Sequence, residues 1–288
     1  MKFISYNIQY GFGADGVNDL SRIANEVRGA DVIALQEVER FWQRSGETDQ
    51  AAVLGELLPD YYWVYGANLD MDASTKDAEG RVHNRRRQFG TMILSRYPII
   101  SSRNFPLPKY ATMTQHSIQQ GILEAVIALP SGPVRAYSVH LSHLCSETRI
   151  PQVKAILEIV NRAPLEGGAW CGGHPNPSSG WTEGEMPPMP REAIIMGDMN
   201  FTNEAPEYDL IVGVSSPKHG RLVNPLGLAD AYVLAGNDEY DGYSVISQEY
   251  RIDHCFISSW LAPKVKQAWI DTDAQGSDHY PLHLEIEL

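Results

Sequence analysis

Basic residues are the scarce charge in this sequence. Against 36 Asp and Glu stand 23 Lys and Arg, and the formal net charge is −13. Non-specific nucleic-acid binding depends on neutralising phosphates with Lys and Arg. The balance opposes that mode of binding and leaves room only for a local basic pocket. Cysteine is also sparse. Cys145, Cys171 and Cys255 are odd in number and no spacing resembles a zinc site. That excludes a disulfide framework and points to free thiols in a reducing compartment. No apolar run is long enough to span a membrane, and no basic and apolar leader precedes the strand-like residues that begin at Phe3. A cytoplasmic location is the expectation. Neither a linker nor a fixed-period repeat interrupts the chain. Its 288 residues, 43% of them hydrophobic, are expected to form one domain over 1–288.

What is present is a set of short apolar runs that end in polar groups. The clearest is Arg191-Glu192-Ala193-Ile194-Ile195-Met196-Gly197-Asp198-Met199-Asn200. A run of this length and type reads as a buried strand. Strand side chains alternate, so Asp198 and Asn200 share a face and Met199 takes the other. Gly197 allows another backbone or a ligand to approach closely. A carboxylate and an amide at a strand end suit a hard cation and a phosphate oxygen, although Asp and Asn also serve as ordinary turn residues there.

Similar ends recur along the chain. Lys2 to Asn7 is strand-like and ends in Asn7. Leu20, Ile23, Ala24 and Val27 follow helical spacing, with Asn18 or Asp19 to cap the start and Gly29 at the end. Asp31 to Glu37 is a second buried strand, expected to end at Glu37. Strand, helix and strand in this order suggest layered α/β architecture. A further helix is expected from about Asp49 to Leu58, stopped by Pro59. Tyr61 to Tyr65 reads as a strand, and Asp70 to Gly80 as an exposed acidic loop. Gly90 to Ser95 and Ile99-Ile100 resemble strands joined around Tyr97-Pro98. Ile122 to Leu129 and Val134 to His140 resemble a hairpin turning at Ser131-Gly132. Pro151 is expected in the first turn of a helix carrying Val153, Ile156, Leu157 and Val160. Residues 164–190 are expected to form a long Gly- and Pro-rich loop, more often functional or disordered than structural at that length. Arg251 to Ser258 and Pro281 to Leu288 complete the strand-like runs.

The polar groups at these ends are Asn7, Glu37, His140, Asp198 with Asn200, Asp253 with His254, and Asp278 with His279. Magnesium prefers carboxylate and amide oxygens and needs only one or two protein carboxylates. Histidine transfers a proton near neutral pH, or stabilises phosphate charge when protonated. Together these groups suit metal-assisted attack of water on phosphorus. Each has a plainer reading by itself: Asn7 and Glu37 as turn residues, His140 as a hydrogen-bonded core histidine. His143, His254 and Cys255 are read as structural, and Arg149 and Gln152 as helix surface or as supports behind the site.

At this point the sequence resembles a known group, the endonuclease/exonuclease/phosphatase superfamily. The resemblance rests on Ser5-Tyr6-Asn7, Leu35-Gln36-Glu37-Val38, Ser138-Val139-His140-Leu141, Gly197-Asp198-Met199-Asn200, Arg251-Ile252-Asp253-His254 and Ser277-Asp278-His279-Tyr280-Pro281-Leu282. Each stretch alone is weak, but all occur in the family's order. The resemblance implies a mixed α/β fold, a four-layer α/β/β/α sandwich like that of deoxyribonuclease I. It implies one or two divalent ions, Mg2+ or Mn2+, held by Glu37 with Asn7 and Asp278 beside it. Asp198 would orient or deprotonate the attacking water, and Asn200 would hold the phosphate or a second metal. His140 and His279 would contact phosphate oxygens, and Asp253 would fix the tautomer of His279. Some relatives carry an acidic residue two positions after the first Asn, where this chain has Gln9.

The expected function is therefore a metal-dependent phosphoesterase. A nuclease on the same fold is the enzyme alternative, and an inactive binding module the alternative of another class. The negative charge favours a small phosphorylated metabolite or a lipid head group over nucleic acid. Arg85, Arg86 and Arg87 are candidate substrate-binding residues, because guanidinium groups match phosphate geometry. The cluster reads equally as a solvated strand end. Trp170 and Trp181 make the long loop a candidate lid.

Overall fold

The computed structural model describes residues 1–288. The chain opens with a strand–helix–strand unit: β1 (Lys2–Asn7), α1 (Leu20–Val27) and β2 (Val32–Arg40). Asp19 caps α1 by accepting from the backbone N–H groups of Ser21 and Arg22. All four residues of the apolar stripe, Leu20, Ile23, Ala24 and Val27, are buried. The helix carries the chain back so that β1 and β2 pair in parallel, Phe3 opposite Val32 and Asn7 opposite Gln36. Helix α2 (Gln50–Leu57), capped by Asp49, follows.

Next come β3 (Tyr62–Asp72), a two-residue pair β4 (Thr75–Lys76) and β5 (Val82–His83), then β6 (Arg86–Ser95), β7 (Ile99–Pro106), β8 (Gly121–Leu129) and β9 (Gly132–His140). A second crossover runs from β9 through α3 (Ser146–Glu166) to β10 (Ala193–Asp198), again with parallel pairing, His140 opposite Asp198. Helix α4 (Pro206–Val212), the pair β11 (Ser215–Ser216) and β12 (Gly220–Arg221), β13 (Leu228–Asp230), α5 (Ala231–Leu234), β14 (Asp253–Ser258), β15 (Val265–Ile270) and β16 (Leu282–Ile286) complete the chain.

Two six-stranded sheets result, in the orders β15-β16-β1-β2-β6-β3 and β13-β14-β10-β9-β8-β7. They pack face to face over Phe3, Val32, Ala34, Ile93, Leu123, Ala136, Met196 and Ile257. Outside the first sheet, α1 and α2 cover Ile4, Ile33, Leu35 and Met92. Outside the second, α3 and α4 cover Tyr137, Val139, Ile195 and Phe256. Burying each of these large apolar side chains contributes about 1.5–3 kcal/mol before the entropy of ordering is counted. This is the four-layer α/β/β/α sandwich. The three cysteines are free, Cys145 and Cys171 exposed and Cys255 buried. No helix is long and apolar enough to cross a membrane.

Several sequence expectations need correction. Strand β2 does not end at Glu37; it continues to Arg40 past a bulge where the register with β6 shifts between Leu35 and Val38. Residues 70–80 are not simply a loop. Strand β3 reaches Asp72 because Arg86 on β6 lies opposite Asp72 and ion-pairs with Asp70 at 2.8 Å, and opposite charges across a strand pair stabilise it. The strands flanking Tyr97-Pro98 belong to different sheets. The hairpin turn sits at 130–131, since Leu129 pairs with Gly132. Pro151 lies inside α3, which starts at Ser146. One backbone bond is forfeited there, but the helix continues because Val153, Ile156, Val160 and Ala163 are buried.

The lid expectation also fails on geometry. Helix α3 is 21 residues long, which carries the chain roughly 30 Å away from the end of β9. The long loop therefore hangs between Gly167 and the start of β10, at the end of the sandwich opposite Asp198. It closes on itself there: a Cβ at Gly168 would lie 2.0 Å from the Pro187 carbonyl oxygen.

Candidate active site

Both parallel crossovers deliver strand C-termini to one edge, where open α/β sheets bind ligands. Asn7 and Glu37 arrive from the first sheet, and His140 and Asp198 from the second. Strand β14 runs antiparallel to β10 and begins at the same edge, Asp253 opposite Asp198. Strand β16 runs antiparallel to β1, Leu282 opposite Ser5, so the loop carrying Asp278 and His279 arrives there too. Within the second sheet, β9 and β10 pack tightly at Gly197, which has no side chain: a Cβ there would lie 1.9 Å from the carbonyl oxygen of its β9 partner Val139.

Asp198 is the hub. Its Oδ2 accepts from Asn7 Nδ2 at 2.9 Å and lies 3.6 Å from His140 Nε2 and 3.8 Å from His279 Nε2. Its Oδ1 accepts the backbone N–H of Asn200 at 2.9 Å. Asn7 also reaches Glu37 Oε1 at 3.3 Å, and His140 Nε2 lies 3.7 Å from the same oxygen. Glu37 stands on the β2 bulge with φ of +60°, a conformation that turns its side chain out of the regular strand alternation. Burial pushes its carboxyl up from the ordinary range; His140 opposes that shift and the Asp198 charge adds to it. Asn200, also left-handed at φ +53°, donates from Nδ2 to the Leu141 carbonyl at 3.0 Å.

His279 donates from Nδ1 to Asp253 Oδ2 at 2.8 Å. Burial works against charging the imidazole, but the Asp253 carboxylate outweighs it and raises the pKa to about 10. Asp278 accepts from Gln9 Nε2 at 2.8 Å. Gln9 and Tyr10 both hold φ of +43°, strain of the kind that gathers at functional sites.

No three His, Cys, Asp or Glu side chains close on one point as a ready-made ligand cluster. The donor set still fits a hard divalent ion. Glu37 and Asp198 are carboxylates bridged by one amide, and neither has an Arg or Lys within ion-pair distance. Magnesium-type ions need only one or two carboxylates and fill their remaining positions with water. Asn7 and Glu37 would hold such an ion. Asp278 is turned toward Gln9 instead.

The arginine cluster does not join this site as a unit. Arg85 pairs with Glu47 at 2.9 Å, and Arg86 with Asp70 at 2.8 Å. Both line a groove of about 480 Å³ with Arg40, Phe41, His83 and Gln88, away from the hub. Alternation puts Arg87 on the other face, with Phe89, whose ring lies 6.0 Å from that of His140. Sequence reading missed Arg44. Its guanidinium stacks 3.8 Å over the Tyr10 ring and pairs with buried Glu39. The charges of Glu37 and Asp278 reach the Tyr10 hydroxyl. A lone Arg gives no sequence signal; only the fold brings it here. His143, exposed beside His140, stacks on His116 with ring centres 6.4 Å apart.

Other polar residues near the site serve the fold. His254 is buried between Arg251 and the Phe201 carbonyl. Arg149 pairs with buried Glu207 at 2.8 Å, and Gln152 accepts the Ser142 N–H, so both brace the segment after His140.

Solved structures share this fold. An endonuclease/exonuclease/phosphatase family protein from Leptotrichia buccalis matches with a TM-score of 0.64 at 21% identity, covering 100% of both chains. The mannosyl-6-phosphatase of Bacteroides thetaiotaomicron matches with a TM-score of 0.64 at 17% identity, also covering 100% of both. The human Nocturnin catalytic domain, solved with a bound sulfate anion, matches with a TM-score of 0.62 at 18% identity, covering 100% of this chain and 94% of that one. No curated protein sequence matches significantly. The family model described as the Endonuclease/Exonuclease/phosphatase family matches residues 4–279, and the chain belongs to that family of hydrolases acting on phosphate esters.

Proposed function

We propose that this protein is a divalent-metal-dependent phosphoesterase acting on a small phosphorylated metabolite or a lipid head group, with Mg2+ or Mn2+ as the ion. The observation that supports it best is the convergence on Asp198 of Asn7, His140 and His279 at 2.9, 3.6 and 3.8 Å. A bound ion would polarise a phosphoryl oxygen and offset charge in the transition state. Asp198 would orient the attacking water and accept its proton. Protonated His279, locked by Asp253, offers Nε2 to phosphoryl oxygens as negative charge develops. His140 Nε2 faces the same Asp198 oxygen.

Two features favour a small substrate. The net charge of −13 repels a polyanion at long range. Arg85, Arg86 and Arg44 are already paired with carboxylates, which leaves Arg87 as the member of the arginine cluster without an ion-pair partner. The same fold in the Bacteroides thetaiotaomicron neighbour serves a mannosyl-6-phosphatase, so it accommodates a sugar phosphate. The test is a panel of sugar phosphates, inositol phosphates, nucleotides, phospholipids and DNA with Mg2+ or Mn2+. Turnover of a small phosphoester, abolished by chelation and restored by metal, is expected. DNA cleavage that exceeds it at physiological salt, and falls steeply as salt rises, would overturn the substrate assignment.

A further inference from the structure

The space between the two sheets changes character just beneath the site. Over most of its length it is apolar, but the last inward-facing layer is Ser5, Gln36, Thr91 and Ser138, with Asn68 beside it. All five are at least nine-tenths buried. Gln36 donates from Nε2 to Ser138 Oγ at 3.0 Å, bridging the sheets. The rest of the layer is unpaired: Ser5 Oγ, Gln36 Oε1, Thr91 Oγ1 and both polar atoms of the Asn68 amide have no partner within hydrogen-bond distance. His140 Nδ1 is in the same condition.

These orphans are neighbours by construction. Gly121 is the β8 partner of His140, and both face the first sheet. An added Cβ at Gly121 would lie 2.2 Å from Asn68 Oδ1, so the Asn68 amide fills the room that glycine leaves beside His140. Thr91 lies on β6 next to the β2 bulge that carries Glu37, two residues from Phe89, which packs on the His140 ring. The contrast with the second histidine is plain. His279 is oriented by a carboxylate on Nδ1. Both carboxylates near His140, Glu37 and Asp198, lie on its Nε2 side.

Buried polar groups are almost always paired with protein or with ordered water, and water enters where a site is polar and offers two to four partners. We infer that Asn68 and Thr91 are positioning residues for His140, acting through ordered water held between the sheets. The amide and the hydroxyl hold water against Nδ1 and aim Nε2 at the reacting edge. The inference rests on the reading of His140 as a phosphate-facing group, but its consequence is a property of the free protein.

The test therefore reads the imidazole directly, with no substrate. Long-range proton–nitrogen correlation spectra of the full chain, with His140 assigned by His140→Gln, report the hydrogen bonding and tautomer of each ring. Thr91→Val keeps shape and removes the hydroxyl; Thr91→Ser restores it; Asn68→Ala removes the amide. Thr91→Val and Asn68→Ala should each shift the His140 Nδ1 resonance and leave that of His279 in place, and Thr91→Ser should return it. A high-resolution crystal structure should show water within hydrogen-bond reach of Nδ1, Asn68 and Thr91. Unmoved His140 resonances in both variants, or a dry space in that crystal structure, would overturn the inference. If the phosphoester panel fails while these shifts appear, the positioning stands and the proposed reaction falls.

Discussion

Asp253 and His279 lie 26 residues apart in the chain and 2.8 Å apart in space, carboxylate oxygen to ring Nδ1. The pair fixes which nitrogen of His279 faces Asp198 and keeps the ring protonated well above neutrality. Losing a group that transfers a proton or stabilises charge typically costs about 10²–10⁴-fold in rate. His279→Ala should fall in that range in kcat. Asp253→Asn should fall less, because an amide still orients the ring. Steady-state kinetics on the phosphoester identified by the panel checks both, and equal losses would contradict the supporting role of Asp253.

Glu37 combines a partly buried carboxylate, a left-handed backbone and a neighbouring Asp198 charge. A bound cation relieves that arrangement, and glutamine removes the need for one. Glu37→Gln should sharply weaken Mg2+ or Mn2+ binding while the far-ultraviolet circular dichroism stays unchanged. Isothermal titration calorimetry decides; an unaltered affinity would take Glu37 out of the metal site.

Gly197 is set by the close approach of β9. With a Cβ 1.9 Å from the Val139 carbonyl oxygen, the backbones must part. Overpacking of this kind costs about 1–3 kcal/mol. Gly197→Ala should lower stability by that amount in a denaturant titration, and should lower kcat as well because Asp198 is the next residue. A variant as stable and active as the parent would show that β9 and β10 tolerate the added methyl.

Acid stability should depend on Asp230. Burial works to raise its pKa, but Arg251 at 3.0 Å, His254 and Tyr208 outweigh it and hold the carboxyl well below the usual range. A folded pKa below the unfolded value of about 3.9 means stabilisation that is full above that pH and lost as pH falls through the folded value. Asp230→Asn should therefore destabilise most at neutral pH and flatten the stability profile between about pH 4 and pH 2. Arg251→Met leaves Asp230 buried without its partner and should cost about 3–5 kcal/mol. Urea titrations across pH measure both.

Arg85, Arg86 and the long loop should prove dispensable for turnover. Arg85→Ala and Arg86→Ala each free a carboxylate at the protein surface, where such pairs contribute only about 0–1 kcal/mol. Their KM values should stay within about twofold of the parent, well under 1 kcal/mol. Shortening the loop around Trp181 should leave kcat and KM unchanged, since its anchors lie at the opposite end of the sandwich. A large rise in KM in any of these variants would return the segment to the substrate site.

The sequence by itself determined the order of the elements and the groups at their ends. Period-3.6 and period-2 patterns depend on which side of one element is buried. For that reason α1, β1, β10 and the β8–β9 hairpin were legible, as were Asn7, His140, Asp198 and His279 as strand-end polar groups. Family resemblance, carried by short stretches in order, supplied the sandwich. Only the tertiary structure decided the rest. Whether β2 stops at Glu37 or bulges past it depends on its register against β6. Where an arginine points depends on partners that the fold brings to it, so Arg85 and Arg86 pair with Glu47 and Asp70 away from the hub while Arg44 stacks on Tyr10. The place of the long loop follows from the 21-residue span of α3. The unpaired layer around Asn68 and Thr91 exists only where two sheets meet. Local patterns record how a residue relates to its own strand or helix. Charge pairing, register and burial between layers are relations among distant segments, and no window of sequence contains both partners.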